Sequence, residues 1–104
     1  MEGVTAGELA IRDVLNYPNP FSMETQFTFM LTRDATVNVQ VFTLAGRKVY
    51  ETGPIACARG YTALPWDGLD AEGDELANGV YLYRIVAKTE KAKAETIGKL
   101  VIAR

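Results

Sequence analysis

The sequence contains no histidine and a single cysteine, Cys57, among its 104 residues. Histidine is the commonest general base and the commonest metal ligand, so its absence argues against acid–base catalysis and a histidine-built metal site. One cysteine excludes an internal disulfide and a cysteine-rich zinc site. We therefore expect no catalytic residues, no cofactor and no metal, and we expect Cys57 to be an ordinary packed or exposed thiol.

The chain also lacks an excess of basic charge and a long apolar run. It carries 11 basic and 13 acidic residues, and without a basic stripe to neutralise phosphates, nucleic acid is not the expected partner. No run of about 20 apolar residues occurs, so no membrane-spanning helix is predicted. Residues 1–8 lack the basic start and apolar stretch of a signal peptide, which leaves either a cytoplasmic protein or one domain of a longer precursor.

What the sequence does contain is an apolar period of two, interrupted by turn residues every 8–12 residues or so, which is typical of an all-β sandwich or barrel. The pattern predicts strands over residues 9–15, 26–31, 37–42, 47–52, 60–66, 79–89 and 94–103. About seven antiparallel strands in one domain of this size predict an immunoglobulin-like β-sandwich. We expect residues 1–13 to form a lead-in and the start of the first strand, and residues 14–104 to form the domain.

Individual motifs have both structural and functional interpretations. In Tyr17-Pro18-Asn19-Pro20-Phe21 the two prolines remove backbone donors and fix φ, so the segment should leave the sheet as an ordered corner. The favoured interpretation is that Tyr17 and Phe21 fill the end of the sandwich; the corner could also be a recognition element, and the two roles are compatible. The strand over residues 79–89 is apolar on both faces, which predicts a central strand covered on both sides. Gly46 is expected to supply a hairpin turn with positive φ.

The segment Trp66-Asp67-Gly68 opens a polar loop that extends to residue 78. Trp66 is expected in the core, with Asp67 accepting backbone donors in a turn; the alternative is an exposed ring on which a sugar stacks. The loop contains the carboxylates of Asp67, Asp70, Glu72, Asp74 and Glu75. Whether they bind a cation is open, with a solvated turn favoured because the calcium-loop spacing fails.

The order of these motifs resembles the C-terminal sorting domain of type IX (Por) secretion cargo. The resemblance covers residues 17–104, from the Tyr-Pro-Asn-Pro-Phe corner to the terminal Lys99-Leu100-Val101-Ile102-Ala103-Arg104. Thr43 stands where that family often has Asp before the Gly-Arg turn. The middle of the pattern is also similar to the Ig-like domain of flagellar hook-capping proteins; it comprises Gly46, Trp66, Asp67, Gly68, Gly79 and Tyr81.

The sorting-domain resemblance implies a non-catalytic secretion signal with a folded body. Such a domain directs an upstream passenger from the periplasm through an outer-membrane translocon to the cell surface, where a sortase-like peptidase removes it. Residues 4–13 would then lie near the processing junction. Deleting residues 99–104 should block export while the sandwich stays folded.

On this resemblance the recognition residues lie in the terminal strand and are Lys99, Leu100, Val101, Ile102 and Arg104. The exposed end of that strand, its unpaired backbone groups and the Arg104 side chain would be offered to a partner, through β-augmentation or carboxylate capture.

Two other functions remain open from the residues alone. One is a structural or assembly module of the hook-cap type, and the other is a carbohydrate-binding module of a secreted hydrolase. An excised domain of this kind could also dimerise through an edge strand.

Overall fold

A computed structural model describes residues 8–104, which form eight β-strands. The strands are β1 (Ile11–Tyr17), β2 (Thr25–Leu31), β3 (Ala35–Thr43), β4 (Lys48–Glu51), β5 (Ile55–Cys57), β6 (Gly60–Trp66), β7 (Gly79–Lys88) and β8 (Lys93–Ile102). Over these residues the chain forms no helix that could cross a membrane. Part of the predicted lead-in and of the predicted processing junction, residues 1–7, lies outside the described residues.

The strands form two antiparallel sheets that pack face to face. One sheet has the order β1-β2-β6, and the other has the order β4-β3-β7-β8, with β5 pairing on the same side of β3 as β4. The prediction of an all-β, immunoglobulin-like sandwich is confirmed. β6 begins and ends where the alternation predicted, and the other predicted strands shift by no more than two residues at either end.

The sequence analysis misses one strand and is only partly right about another. β5 was not predicted, because three residues after Gly53-Pro54 are too few to establish an alternation. β7 is central, as expected, but its outer face is fully covered only at Val86, which is 8% exposed. Its Tyr81, Tyr83 and Ile85 side chains lie in the core, whereas Val80 is 41% exposed on the outer face of the sheet.

The core lies between the sheets and is built from alternate residues of facing strands. β2 contributes Phe27, Phe29 and Leu31, as its alternation predicted, and all three are buried. The Trp66 ring lies among aromatic neighbours, stacked at 5.5 Å from the Tyr50 ring and at 6.1 Å from the Phe27 ring. Burying each such side chain stabilises the fold by about 1.5–3 kcal/mol before the cost of ordering it. This aromatic group closes the end of the sandwich at which β8 ends.

Candidate recognition site at the end of the terminal strand

The terminal strand alternates between the core and the surface. Leu100 and Ile102 are 0% and 1% exposed and lie in the core, whereas Lys99 is exposed and Val101 is half-buried. The strand period of two places alternate side chains on opposite faces of the sheet. Two of the five predicted recognition residues therefore cannot meet a partner while the domain is folded.

The outer edge of β8 is covered near its end by the corner segment. The Asn19 side chain behaves like a short piece of strand: its Nδ2 donates to Lys99 O at 3.1 Å, and its Oδ1 accepts from Val101 N at 2.9 Å. Phe21 continues the pairing, since its N–H donates to Val101 O and its carbonyl accepts from Ala103 N. The expectation of unpaired backbone groups is therefore wrong for the carbonyl of Lys99, for both groups of Val101 and for the N–H of Ala103.

The corner itself is held by a small buried polar network. Asn16 Nδ2 donates to Thr25 Oγ1 at 3.0 Å and to Gln26 O at 3.1 Å, and Thr25 Oγ1 donates to Pro18 O at 2.7 Å. The Tyr17-Pro18 and Asn19-Pro20 peptide bonds are both cis. Phe21 fills the end of the sandwich as predicted, but Tyr17 does not, because its ring is 67% exposed.

Arg104 turns back onto the domain instead of extending into solvent. Its guanidinium donates to Leu76 O at 2.5 Å and to Gly68 O at 3.2 Å. Glu75 lies within ion-pair range, 3.8 Å from Arg104 Nε. Charge-assisted hydrogen bonds of this kind are stronger than those between neutral groups. The expectation that the Arg104 side chain is free to meet a partner is wrong.

Gly68 makes room for this arrangement. Its φ of +77° is a backbone conformation that favours glycine, and a Cβ at this position would lie 2.7 Å from Arg104 Nη2 and 3.1 Å from Phe21 Cε2. The glycine in Trp66-Asp67-Gly68 is thus needed both for the turn and for the close approach of the terminal arginine.

Asn78 clamps the backbone of the last residue. Its Oδ1 accepts from Arg104 N at 2.9 Å, and its Nδ2 donates to Arg104 O at 3.3 Å. Nearby, Tyr81 Oη donates to Ala77 O at 2.7 Å, which is the arrangement of the tyrosine corner found in immunoglobulin-like sandwiches. The sequence analysis missed Asn78 and Leu76, because the pattern of a polar loop does not indicate a contact with a residue 26 or more positions away.

We refer to Asn19, Phe21, Gly68, Leu76, Asn78 and residues 99–104 as the terminal cluster. It unites three motifs that are far apart in the sequence. Glu8 and Ala10 lie at the opposite end of the sandwich, beside the β2–β3 turn, where Thr32 bonds to the backbone of both. The terminal cluster therefore faces away from the point at which the described chain enters the domain. It leaves the side chains of Lys99 and Val101 accessible.

The turn at residues 66–68 forms as predicted. Trp66 is 3% exposed and its Nε1 donates to Leu69 O at 3.1 Å, while Asp67 Oδ1 accepts from Leu69 N at 3.1 Å. A buried ring cannot stack on a sugar, so Trp66 does not support carbohydrate binding. Gly46 likewise has the predicted positive φ, +95°, in the β3–β4 turn.

The acidic loop folds around Asp70. The carboxylate oxygens of Asp70, Glu72 and Asp74 lie within 4.8 Å of one another. Asp70 Oδ1 accepts from the backbone N–H groups of Glu72 and Asp74 at 2.9 and 3.0 Å. Asp70 thus has a turn-forming role that needs no ion.

Among residues 8–104, three groups have a shifted pKa. Burial raises the pKa of the Cys57 thiol, which keeps it protonated and a poor nucleophile. Burial also raises the pKa of Tyr83. Hydrogen bonds from Lys48 and then from Asn38 lower the pKa of Glu51. None of the three lies in the terminal cluster.

Comparison with known proteins gives one family match. The family profile of the FlgD Ig-like domain matches residues 19–91. No curated protein matches the chain at the level of sequence.

Several solved structures share the fold. PorU from Porphyromonas gingivalis, solved as a latent dimer, superimposes with a TM-score of 0.80 at 24% identity, over 93% of this chain and 10% of that chain. PorZ, an essential surface component of the type IX secretion system of the same bacterium, superimposes with a TM-score of 0.57 at 21% identity, over 88% of this chain and 12% of that chain. FlgD from Pseudomonas aeruginosa gives a TM-score of 0.65 at 18% identity, over 86% of this chain and 74% of that chain. The chain thus spans about a tenth of the length of PorU and PorZ.

Proposed function

This chain belongs to the family of FlgD Ig-like domains, and from that premise we propose that it is a non-catalytic sorting domain. Its role is to direct a passenger joined ahead of β1 across the outer membrane to the cell surface by type IX secretion. The partners are the passenger, an outer-membrane translocon and a sortase-like peptidase.

The observation that carries the proposal is the terminal cluster. An Ig-like sandwich needs only alternate residues of its last strand to face inward, yet here the last residue is also held by hydrogen bonds to its backbone and to its guanidinium. Asn19 and Phe21 form hydrogen bonds with the backbone of the strand, and Asn78 does so with the backbone of Arg104. The carbonyl oxygens of Gly68 and Leu76 accept hydrogen bonds from the Arg104 guanidinium. This supports a signal that is read as a folded surface, distant from the passenger.

The likeness to PorU and PorZ is consistent with this role but rests on fold alone. A non-catalytic role agrees with the residue inventory, since the chain has no histidine and the pKa of its one thiol is raised by burial. The clustered carboxylates lie in an exposed turn and not in a cleft.

The test is a reporter fused ahead of residue 1 and expressed in a bacterium that has type IX secretion. Deleting residues 99–104, the obvious experiment, would remove Leu100 and Ile102 from the core and unfold the domain. The accessible side chains should be changed instead, as Lys99→Glu together with Val101→Lys. We expect surface display to fall at least about tenfold, with the reporter retained in the periplasm and the unfolding midpoint of the purified domain nearly unchanged.

Lys91→Glu is the matched control, because it makes the same charge reversal in the exposed turn between β7 and β8 at the other end of the sandwich. Export of this control should equal that of the unchanged domain. Equal surface display of all three fusions would refute the sorting role.

A second candidate is an assembly module of the hook-cap type. The specific observation in its favour is that the family match covers residues 19–91 and does not require the last strand. This function predicts self-association or binding to a filament subunit that is indifferent to Lys99 and Val101. The measurement is sedimentation of the Lys99→Glu/Val101→Lys variant beside the unchanged domain. The assembly function predicts that both associate to the same extent.

A further inference from the structure

The first half of β8 presents an unpaired strand edge. β8 pairs with β7 without any register shift, and the N–H and C=O of Val101 point away from β7, toward Asn19 and Phe21. In an antiparallel ladder this orientation repeats every second residue. The N–H and C=O groups of Lys93, Glu95 and Ile97 must therefore also point outward. Within residues 8–104 no hydrogen bond reaches them, and we call residues 93–97 the open edge.

The other strand edges are less suited to pairing. β1 contains an irregularity between Arg12 and Leu15, where Asp13 has a φ of +53°, and such bulges disrupt strand addition. β6 contains Pro65, which has no N–H to donate. β4 is four residues long, and Ala71 N already donates to Val49 O on its outer side.

The side chains around the open edge are predominantly basic. Glu95 lies 2.9 Å from Arg84 Nε and 3.5 Å from Lys93 Nζ, so its charge is compensated twice. Arg84, Lys88 and Lys93 also line a groove of about 310 Å³ on the same outer face. Ile97 is 64% exposed on this face. A partner strand is therefore favoured when it brings carboxylates near Lys93 and an apolar side chain opposite Ile97.

A second copy of this chain fits the open edge poorly. A twofold axis at Glu95 would place two glutamates directly opposite each other, which is destabilising. Moving the axis to residue 96 or 97 would oppose Lys99 to Lys93 or to Glu95, and the Lys99 carbonyl already accepts from Asn19. With the axis at residue 94, only residues 93–95 of each copy could pair, because β8 begins at Lys93 after the β7–β8 turn.

We propose that an extended acidic segment of a partner protein adds to the open edge as a further antiparallel strand. Its carboxylates lie opposite Lys93 and toward Lys88, and an apolar side chain lies opposite Ile97. The inference rests on the sorting function in that it describes the kind of partner segment that the domain meets. It relocates the strand-addition site from residues 99–104, which the terminal cluster occupies, to residues 93–97.

The probe is a capped synthetic peptide of sequence TVTTTETE, with a control in which both glutamates are replaced by lysine. Each is titrated into the isotope-labelled domain while backbone amide shifts are recorded by nuclear magnetic resonance. The acidic peptide should shift the amides of Lys93, Glu95 and Ile97 and slow their exchange with solvent. The lysine peptide should bind about tenfold more weakly, because its lysines lie opposite like charges. High salt should reduce this difference in affinity between the two peptides.

Two variants separate the backbone from the side chain at one position. Ile97→Pro removes an outward N–H without removing a β7–β8 hydrogen bond, and should weaken the acidic peptide at least about tenfold. Ile97→Ala keeps that donor and should weaken it by no more than about threefold. If the proline variant does not fold, Lys93→Glu replaces it, since a charge reversal at this exposed side chain should also weaken binding about tenfold.

Three results would overturn the inference: no shifts at residues 93–97 with the acidic peptide, equal binding of both peptides, or self-association through β8 in their absence. The titration needs no secretion machinery. A failed display experiment would therefore refute the sorting function only. The peptide titration would still test strand addition at the open edge.

Discussion

At the scale of the residue, Gly68 and Arg104 form the contact on which the terminal cluster depends. Arg104 reaches the Gly68 carbonyl because position 68 carries no side chain, and Phe21 lies against the same glycine. An ordinary surface arginine would lose its side-chain entropy for little gain. Here two backbone carbonyls accept from the guanidinium, and the Arg104 side chain is 21% exposed.

We predict that Gly68→Ala destabilises the domain more than Gly73→Ala. Both glycines have positive φ, +77° and +88°, so alanine costs about 1–2 kcal/mol of backbone strain at either position. Only at Gly68 would the new Cβ also collide with Arg104 and Phe21. Urea unfolding should show an additional loss of about 1 kcal/mol or more for Gly68→Ala. Equal losses would mean that the Gly68–Arg104 contact is unimportant.

At the scale of the element, β3 is paired along one side by two short strands instead of one long strand. The chain leaves β4 at Glu51 and resumes pairing at Ile55. Asn38 holds this crossing: its Nδ2 donates to Glu51 Oε2 at 2.8 Å, and its Oδ1 accepts from Gly53 N at 3.1 Å and from Thr52 Oγ1 at 3.3 Å.

We predict that Asn38→Ala lowers the free energy of unfolding by about 1–3 kcal/mol, because it removes three hydrogen bonds, one of them to a charged carboxylate. Thr36→Ala is the control, since Thr36 lies on the same face of β3 but is exposed, and it should change stability by no more than about 0.5 kcal/mol. Hydrogen exchange should locate the Asn38→Ala effect at residues 51–57. Protection unchanged in that segment would contradict the assignment.

At the scale of the whole molecule, the last strand belongs to the core and is not an appendage. Leu100 and Ile102 are fully buried, and Phe21, near the start of the domain, pairs with Ile102 through an isolated parallel bridge. Loss of the last strand should therefore destabilise both sheets.

We predict that Leu100→Ala costs about 2–5 kcal/mol, as expected for truncating a fully buried leucine. Val101→Ala, at the adjacent half-buried position, should cost about 1 kcal/mol or less. In both variants, near- and far-ultraviolet circular dichroism should report one coincident unfolding transition. A separate early transition in Leu100→Ala would show that β8 unfolds independently of the rest.

Much of the architecture could be predicted because it depends on local pattern. The alternation at residues 27, 29 and 31 identifies which face of β2 is buried, and it needs no knowledge of what lies opposite. Gly46 and Asp67 act within their own turns, so their roles could be read from adjacent residues. β5 was missed for the opposite reason: three residues contain too little pattern, and only the pairing with β3 makes them a strand.

The sequence by itself determined the two-sheet β fold, its turns and its family likeness, because strand period and turn chemistry are properties of neighbouring residues. Only the tertiary structure decided which parts of the last strand can meet a partner. Asn19 and Arg104 are polar residues in segments that read as exposed, yet each is bound to groups 28 or more positions away. Such contacts depend on how two sheets bring distant segments together, and no local pattern encodes them.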